Sequence, residues 1–193
     1  MRTIFGIIAV FLLYSESIFP QCDNFICTDY TLGKVFVIEN GKIVWEHDAP
    51  FSNDVWALDM EYDAKGKVVW SVPVPGGAHS VIRLPNGNTI VAETDAEKNP
   101  RILEFNKKGD LIWELSNKDL QGEPLKFLTG MQYIPGTGLY FTNWQGHGVN
   151  EKKPFLFLVN RDKQILCTFP AREGIESFSS VYFPQKKGTK IFH

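Results

Sequence analysis

Few side chains in this sequence have types and spacing suited to chemistry. His79 opens an apolar run, His79-Ser80-Val81-Ile82-Arg83-Leu84, while His147 sits between two glycines in Gly146-His147-Gly148. Imidazole titrates near neutral pH, so either histidine could move a proton for a bound substrate. Arg83 and Arg101 could neutralise an anionic group, and Asn53, Asn143 and Trp144 could line a small-ligand pocket. Glu93, Asp95 and Glu97 alternate along a polar stretch, a pattern that could offer oxygen ligands to calcium; solvated loop acids are the preferred reading. Trp45, Trp70 and Trp113 recur in equivalent places, either as an aromatic platform or, preferred here, as packing between repeated units.

Cysteine adds little. Cys22, Cys27 and Cys167 are an odd set with no C-x-x-C and no Cys/His spacing for zinc. A Cys22–Cys27 pair would close a small local loop and leave Cys167 alone; free or buried thiols are preferred. No metal site and no cofactor is expected.

The elements that must position these residues are strands. The 193 residues are 44% apolar, 13% aromatic and 22% charged, with 15 Phe, which suits one β-rich globular domain. A formal charge of −2 without a basic stripe argues against nucleic acid as a partner. At the N-terminus a short basic head precedes the apolar run Ile4–Tyr14, too short to span a bilayer but suited to a secretory signal. Residues 1–21 are therefore expected to be a signal peptide, and the protein to be exported, periplasmic or extracellular, with no membrane association beyond that segment.

The body repeats. Asn40-Gly41-Lys42-Ile43-Val44-Trp45, Lys65-Gly66-Lys67-Val68-Val69-Trp70 and Lys108-Gly109-Asp110-Leu111-Ile112-Trp113 each join a polar turn to a short apolar strand. Arg161-Asp162-Lys163-Gln164-Ile165-Leu166-Cys167 is a fourth version with Cys167 in the Trp column. A strand precedes each turn, which makes these segments β-hairpins. Two further strands lie upstream in the fullest unit, His79–Leu84 and Thr89–Thr94, and the following unit repeats them as Gly130–Ile134 and Leu139–Trp144. Four short strands in about 40–45 residues form the repeat of a β-propeller blade. The fold expected is all-β, a propeller of about four blades over residues 22–185 with a short tail, 186–193.

The string His79-Ser80-Val81-Ile82-Arg83-Leu84-Pro85-Asn86-Gly87-Asn88-Thr89 and the recurrent Gly-Lys-Val-Val-Trp hairpin resemble the secreted bacterial PQQ-like repeat propellers. They also resemble arylsulfotransferase-like propellers, which share a His followed by Leu-Pro-Asn-Gly-Asn. The resemblance covers about residues 33–183. It implies a channel-facing His79, which in the arylsulfotransferase-like proteins serves as the nucleophile that accepts a sulfuryl group. His147, beside Asn143 and Trp144, would be its counterpart. The remainder of that catalytic set is not recognisable as a motif. The function expected is binding of a small molecule or protein at the channel mouth, with a histidine transferase or hydrolase as the alternative and a quinone-dependent oxidoreductase below it.

Two irregularities bear on ring closure. Aligning the innermost strands leaves Ser179–Phe183 with no partners after it, while Phe25–Tyr30 lacks an inner strand, so one blade should be built from both ends. Trp45 and Trp70 are only 25 residues apart against 43 for Trp70 and Trp113, so the second unit lacks a strand, as an internal deletion would leave it.

Overall fold

The computed structural model describes residues 24–29, 32–48, 60–62, 68–94, 99–120, 122, 125–145, 154–170, 174–175 and 178–184. The signal segment expected at residues 1–21, Cys22, the strand expected at Asn53–Leu58, Asp95, Glu97, His147 and the tail expected at 186–193 lie outside them.

Fourteen strands and no helix are present among the described residues. They are β1 (Phe25–Asp29), β2 (Lys34–Glu39), β3 (Lys42–Asp48), β4 (Met60–Tyr62), β5 (Val68–Ser71), β6 (Ala78–Arg83) and β7 (Thr89–Glu93), followed by β8 (Arg101–Phe105), β9 (Leu111–Leu115), β10 (Phe127–Ile134), β11 (Gly138–Trp144), β12 (Pro154–Val159), β13 (Ile165–Pro170) and β14 (Ser180–Tyr182). Three antiparallel sheets have four strands each, in the orders β14-β1-β2-β3, β6-β7-β8-β9 and β10-β11-β12-β13, and β4-β5 form a two-stranded remnant. The all-β expectation is met, and the second unit is the thin one. β14 pairs with β1 through Ile26↔Tyr182, Cys27↔Val181 and Thr28↔Ser180, so the C-terminal strand completes the N-terminal sheet.

Glycine makes the hairpins possible where the chain turns left-handed. Gly109 has φ +88° in the β8–β9 turn, and its amide donates to the Asn106 carbonyl at 3.0 Å. The Asn106 side-chain oxygen caps the amides of Lys108 and Asp110, an arrangement available to Asn and Asp because the side chain reaches back to its own turn.

Both faces of the inner sheets are buried, as strand alternation allows when sheets stack. Along β7, Ile90 and Ala92 face β10–β13, while Val91 turns the other way to join Val72, Val74, Ala78, Leu103 and Phe105. Along β12, Phe157 and Val159 meet the β6–β9 sheet, while Leu156 and Leu158 meet the β14-β1-β2-β3 sheet. The sheets therefore stand in the order β4-β5, β6–β9, β10–β13, β14-β1-β2-β3, with an apolar layer at each junction.

Polar ties cross the same junctions. The indole N–H of Trp113 donates to the Arg161 carbonyl at 2.9 Å, and the Arg161 guanidinium lies 4.9 Å over the Trp113 ring while pairing with buried Glu104. Trp70 likewise carries Arg83 at 4.7 Å. Packing between units is thus the role of Trp70 and Trp113. Trp45 departs from it: the residue is 50% exposed, because no described sheet covers its side of β3.

Candidate functional site

The inner ends of β6 and β10 place the residues of interest. Both strands are bulged there. The β6–β7 register slips between Ala78 and Ser80, so His79 is the extra residue, and the β10–β11 register slips between Leu128 and Met131. A bulge breaks the alternation of side chains and re-aims the extra residue, which is why bulges recur next to functional sites.

His79 meets the edge of Phe127 at 5.7 Å between ring centroids, and Phe127 meets Trp144 edge-on at 5.5 Å. Phe127 and Trp144 are cross-strand partners in β10 and β11. All three rings are half-buried and form a three-ring cluster drawn from two sheets. Asn143 is buried beneath it. Its Oδ1 accepts from the amides of Lys126 at 2.8 Å and Phe127 at 3.3 Å, fixing the start of β10 and hence the Phe127 ring. One residue earlier, Asn117 Oδ1 takes the Leu125 amide at 2.5 Å. The neighbouring Gln145 is buried, with Oε1 lacking a hydrogen-bond partner among the described residues.

Of the residues singled out by sequence, His79, Asn143 and Trp144 come together here. Asn53 and His147 lie outside the described residues. Arg83 donates to the Gly87 carbonyl of its own sheet at 2.7 Å and stacks on Trp70 of the β4-β5 sheet. Arg101 pairs with Glu93 at 2.5 Å and Glu114 at 3.3 Å. Phe127 lies upstream of the strand expected at Gly130–Ile134; the structure begins that strand at Phe127.

Two other expectations are corrected, those for Glu93 and for the cysteines. Glu93, read as a solvated loop acid, is only 3% exposed and also accepts the Gly76 amide at 3.0 Å. Its register partner is Arg101, which explains the burial of its charge. No group of three or more His, Cys, Asp or Glu among the described residues could hold a metal ion. The expected free or buried thiol holds for Cys27, which does not pair with Cys22, but not for Cys167, which is disulfide-bonded. Burial, followed by the nearby Asp29 charge, raises the pKa of Cys27 well above the ordinary thiol range, which leaves it protonated and unreactive.

No protein-family model and no curated protein sequence matches the chain. A solved structure does match: a protein of unknown function from Bacteroides caccae superposes with a TM-score of 0.56 and 19% identity over 77% of this chain and 63% of that one. The likeness is one of fold. The chain spans less than two thirds of that neighbour's length. A second structure, BBS1N in complex with ARL6DN, aligns over 79% of this chain and 49% of the other at 14% identity, but its TM-score of 0.27 carries no weight.

Proposed function

We propose that the chain is an exported binding module with a β-propeller-like, four-blade arrangement, holding a small flat-faced ligand against His79, Phe127 and Trp144. The observation that carries this is the half-buried three-ring cluster at the bulged inner ends of two adjacent sheets. Aromatic walls with a few fixed polar groups are the usual make-up of a small-molecule site. The disulfide at Cys167 supports export, because disulfides persist in oxidising compartments. Binding is favoured over sulfuryl transfer by the fate of the arginines. Arg83 and Arg101 are engaged with Gly87, Trp70, Glu93 and Glu114, whereas a transferase would need such cations at the sulfate.

Ligand-observed NMR with a panel of planar aromatic and sugar probes tests the proposal. Phe127→Ala should abolish binding of any hit, and His79→Ala should weaken it about tenfold, in line with the loss of one ring contact of ~1.4 kcal/mol. Hits indifferent to both changes would place the ligand elsewhere. Turnover of an aryl sulfate with a phenol acceptor, lost in His79→Ala, would replace the binding reading with the transferase.

A further inference from the structure

Cys167 is disulfide-bonded, in a chain that holds only two other cysteines, Cys22 and Cys27. Cys27 is a free, buried thiol in β1. One sulfur of the chain is then left for Cys167. Cys22 itself lies outside the described residues, but packing brings its sequence neighbours to the right place. Phe25, three residues after Cys22, meets the edge of Phe169, two residues after Cys167, at 5.1 Å between ring centroids. Cys167 is half-buried against the apolar layer that contains Phe25, Cys27 and Phe169. A three-residue tether from Phe25 reaches about 11 Å, ample for the roughly 4.4–6.8 Å Cα separation of a disulfide.

We infer that Cys167 is joined to Cys22, and that this bond is a redox-sensitive lock tying the chain in front of β1 to β13 of the neighbouring sheet. β1 is the strand on which β14 closes the N-terminal sheet, through Ile26, Cys27 and Thr28, and it pairs on its other side with β2. Holding its leading end to the β10–β13 sheet therefore holds the pairing of the two chain ends. The bond closes a loop of about 145 residues, nearly the whole domain, so in the chain-entropy account it constrains the unfolded state strongly. Formation takes one proton and one electron from each thiol and passes both pairs to a disulfide-bearing oxidant, which leaves as two thiols; a dithiol reductant reverses the exchange. Cys27 does not compete. Only a thiolate attacks a disulfide, and burial, followed by the Asp29 charge, keeps this thiol protonated.

Non-reducing peptide mapping of the full chain tests the pairing. Free thiols are blocked with N-ethylmaleimide in denaturant, and trypsin with an Asp-specific protease then separates the three cysteines: Cys22 falls before the cut at Asp23, Cys27 in 23–28 and Cys167 in 164–172. The expected products are a cross-link between the Cys22 peptide and 164–172, and 23–28 carrying one maleimide. Cys27 in the cross-link, Cys167 joined to a second Cys167, or Cys167 blocked by maleimide would overturn the assignment. Thermal unfolding reads the lock. Reduction should lower Tm by about 10 °C; Cys22→Ser and Cys167→Ser should each do the same, and the double variant no more, because all three remove one bond. Amide exchange in β1 and β14 should speed by about tenfold or more in the reduced chain. A Tm unmoved by reduction, unchanged exchange in both strands, or additive losses in the double variant would refute the lock.

Discussion

Replacing Arg161 by Ala tests whether adjacent sheets are held by specific polar ties as well as by apolar contact. Arg161 stands in the β12–β13 turn and reaches across to β8 and β9 of the neighbouring sheet. There its guanidinium pairs with Glu104 and covers Trp113, which face each other in register on β8 and β9. Glu104 is 3% exposed, and among the described residues its other oxygen accepts only from Asn88, at 2.8 Å. Removing the arginine leaves a buried carboxylate with one neutral donor, a loss of about 3–5 kcal/mol where no water enters. Arg161 is itself half-exposed, so water will reach part of the vacated site and reduce that figure, while loss of the cation over Trp113 adds about 0.5–1 kcal/mol. The expected net loss is about 2–4 kcal/mol, read from urea unfolding. The mechanism predicts a background dependence as well. In Glu104→Gln, where no charge is stranded, Arg161→Ala should cost no more than about 1 kcal/mol. An equal cost in both backgrounds, or a loss below about 1 kcal/mol in the native one, would refute the tie.

Closure and acid sensitivity give two further predictions. Gln132 is fully buried and grips Phe183 from both sides, accepting its amide at 2.7 Å and donating to its carbonyl at 3.2 Å, so Gln132→Ala should lose about 2–3 kcal/mol and speed amide exchange in β1 and β14; unchanged exchange there would show that β14 is held without it. Burial pushes the Asp119 pKa up, but hydrogen bonds from Lys163 and Ser116 together outweigh it and hold the carboxyl below its ordinary value. Its contribution is therefore full above the unfolded pKa of about 3.9 and is lost as pH falls through the lower folded value, so Asp119→Asn should flatten the stability curve below about pH 4.

The local parts of the fold were legible because they are written locally. A Gly-containing turn between β-favouring runs specifies a hairpin with little help from the rest of the chain, and the column alignment was enough to pair β14 with β1. What escaped depends on neighbours. Trp45, Trp70 and Trp113 occupy one slot of the repeat, yet Trp113 is covered by Arg161 of the next sheet and Trp70 by Arg83, while Trp45 has no such arginine among the described residues. The burial of Glu93 could have been found. Once β7 and β8 are read as an antiparallel pair, Arg101 falls opposite it. The disulfide at Cys167 has no signature in the pattern around that residue.

The same column logic compares two equivalent positions of the repeat. His79 in β6 and Thr129-Gly130 in β10 occupy equivalent bulges, but the chain fills them differently. In β10 the space belongs to the protein. Thr129 Oγ1 lies 2.6 Å from Thr142 Oγ1 and donates to the Phe178 carbonyl at 3.1 Å, and a Cβ added at Gly130 would come within 2.7 Å of Ser180 Cα. Glycine is required there because the closing strand passes directly over it. At the equivalent position of β6 the bulge presents an imidazole, with two aromatic rings contributed by the next sheet and an asparagine fixing their approach. One repeated irregularity thus serves two ends: in the sheet beside the closing strand it makes room for the chain itself, and one sheet away it sets His79 against the Phe127 ring of the next sheet.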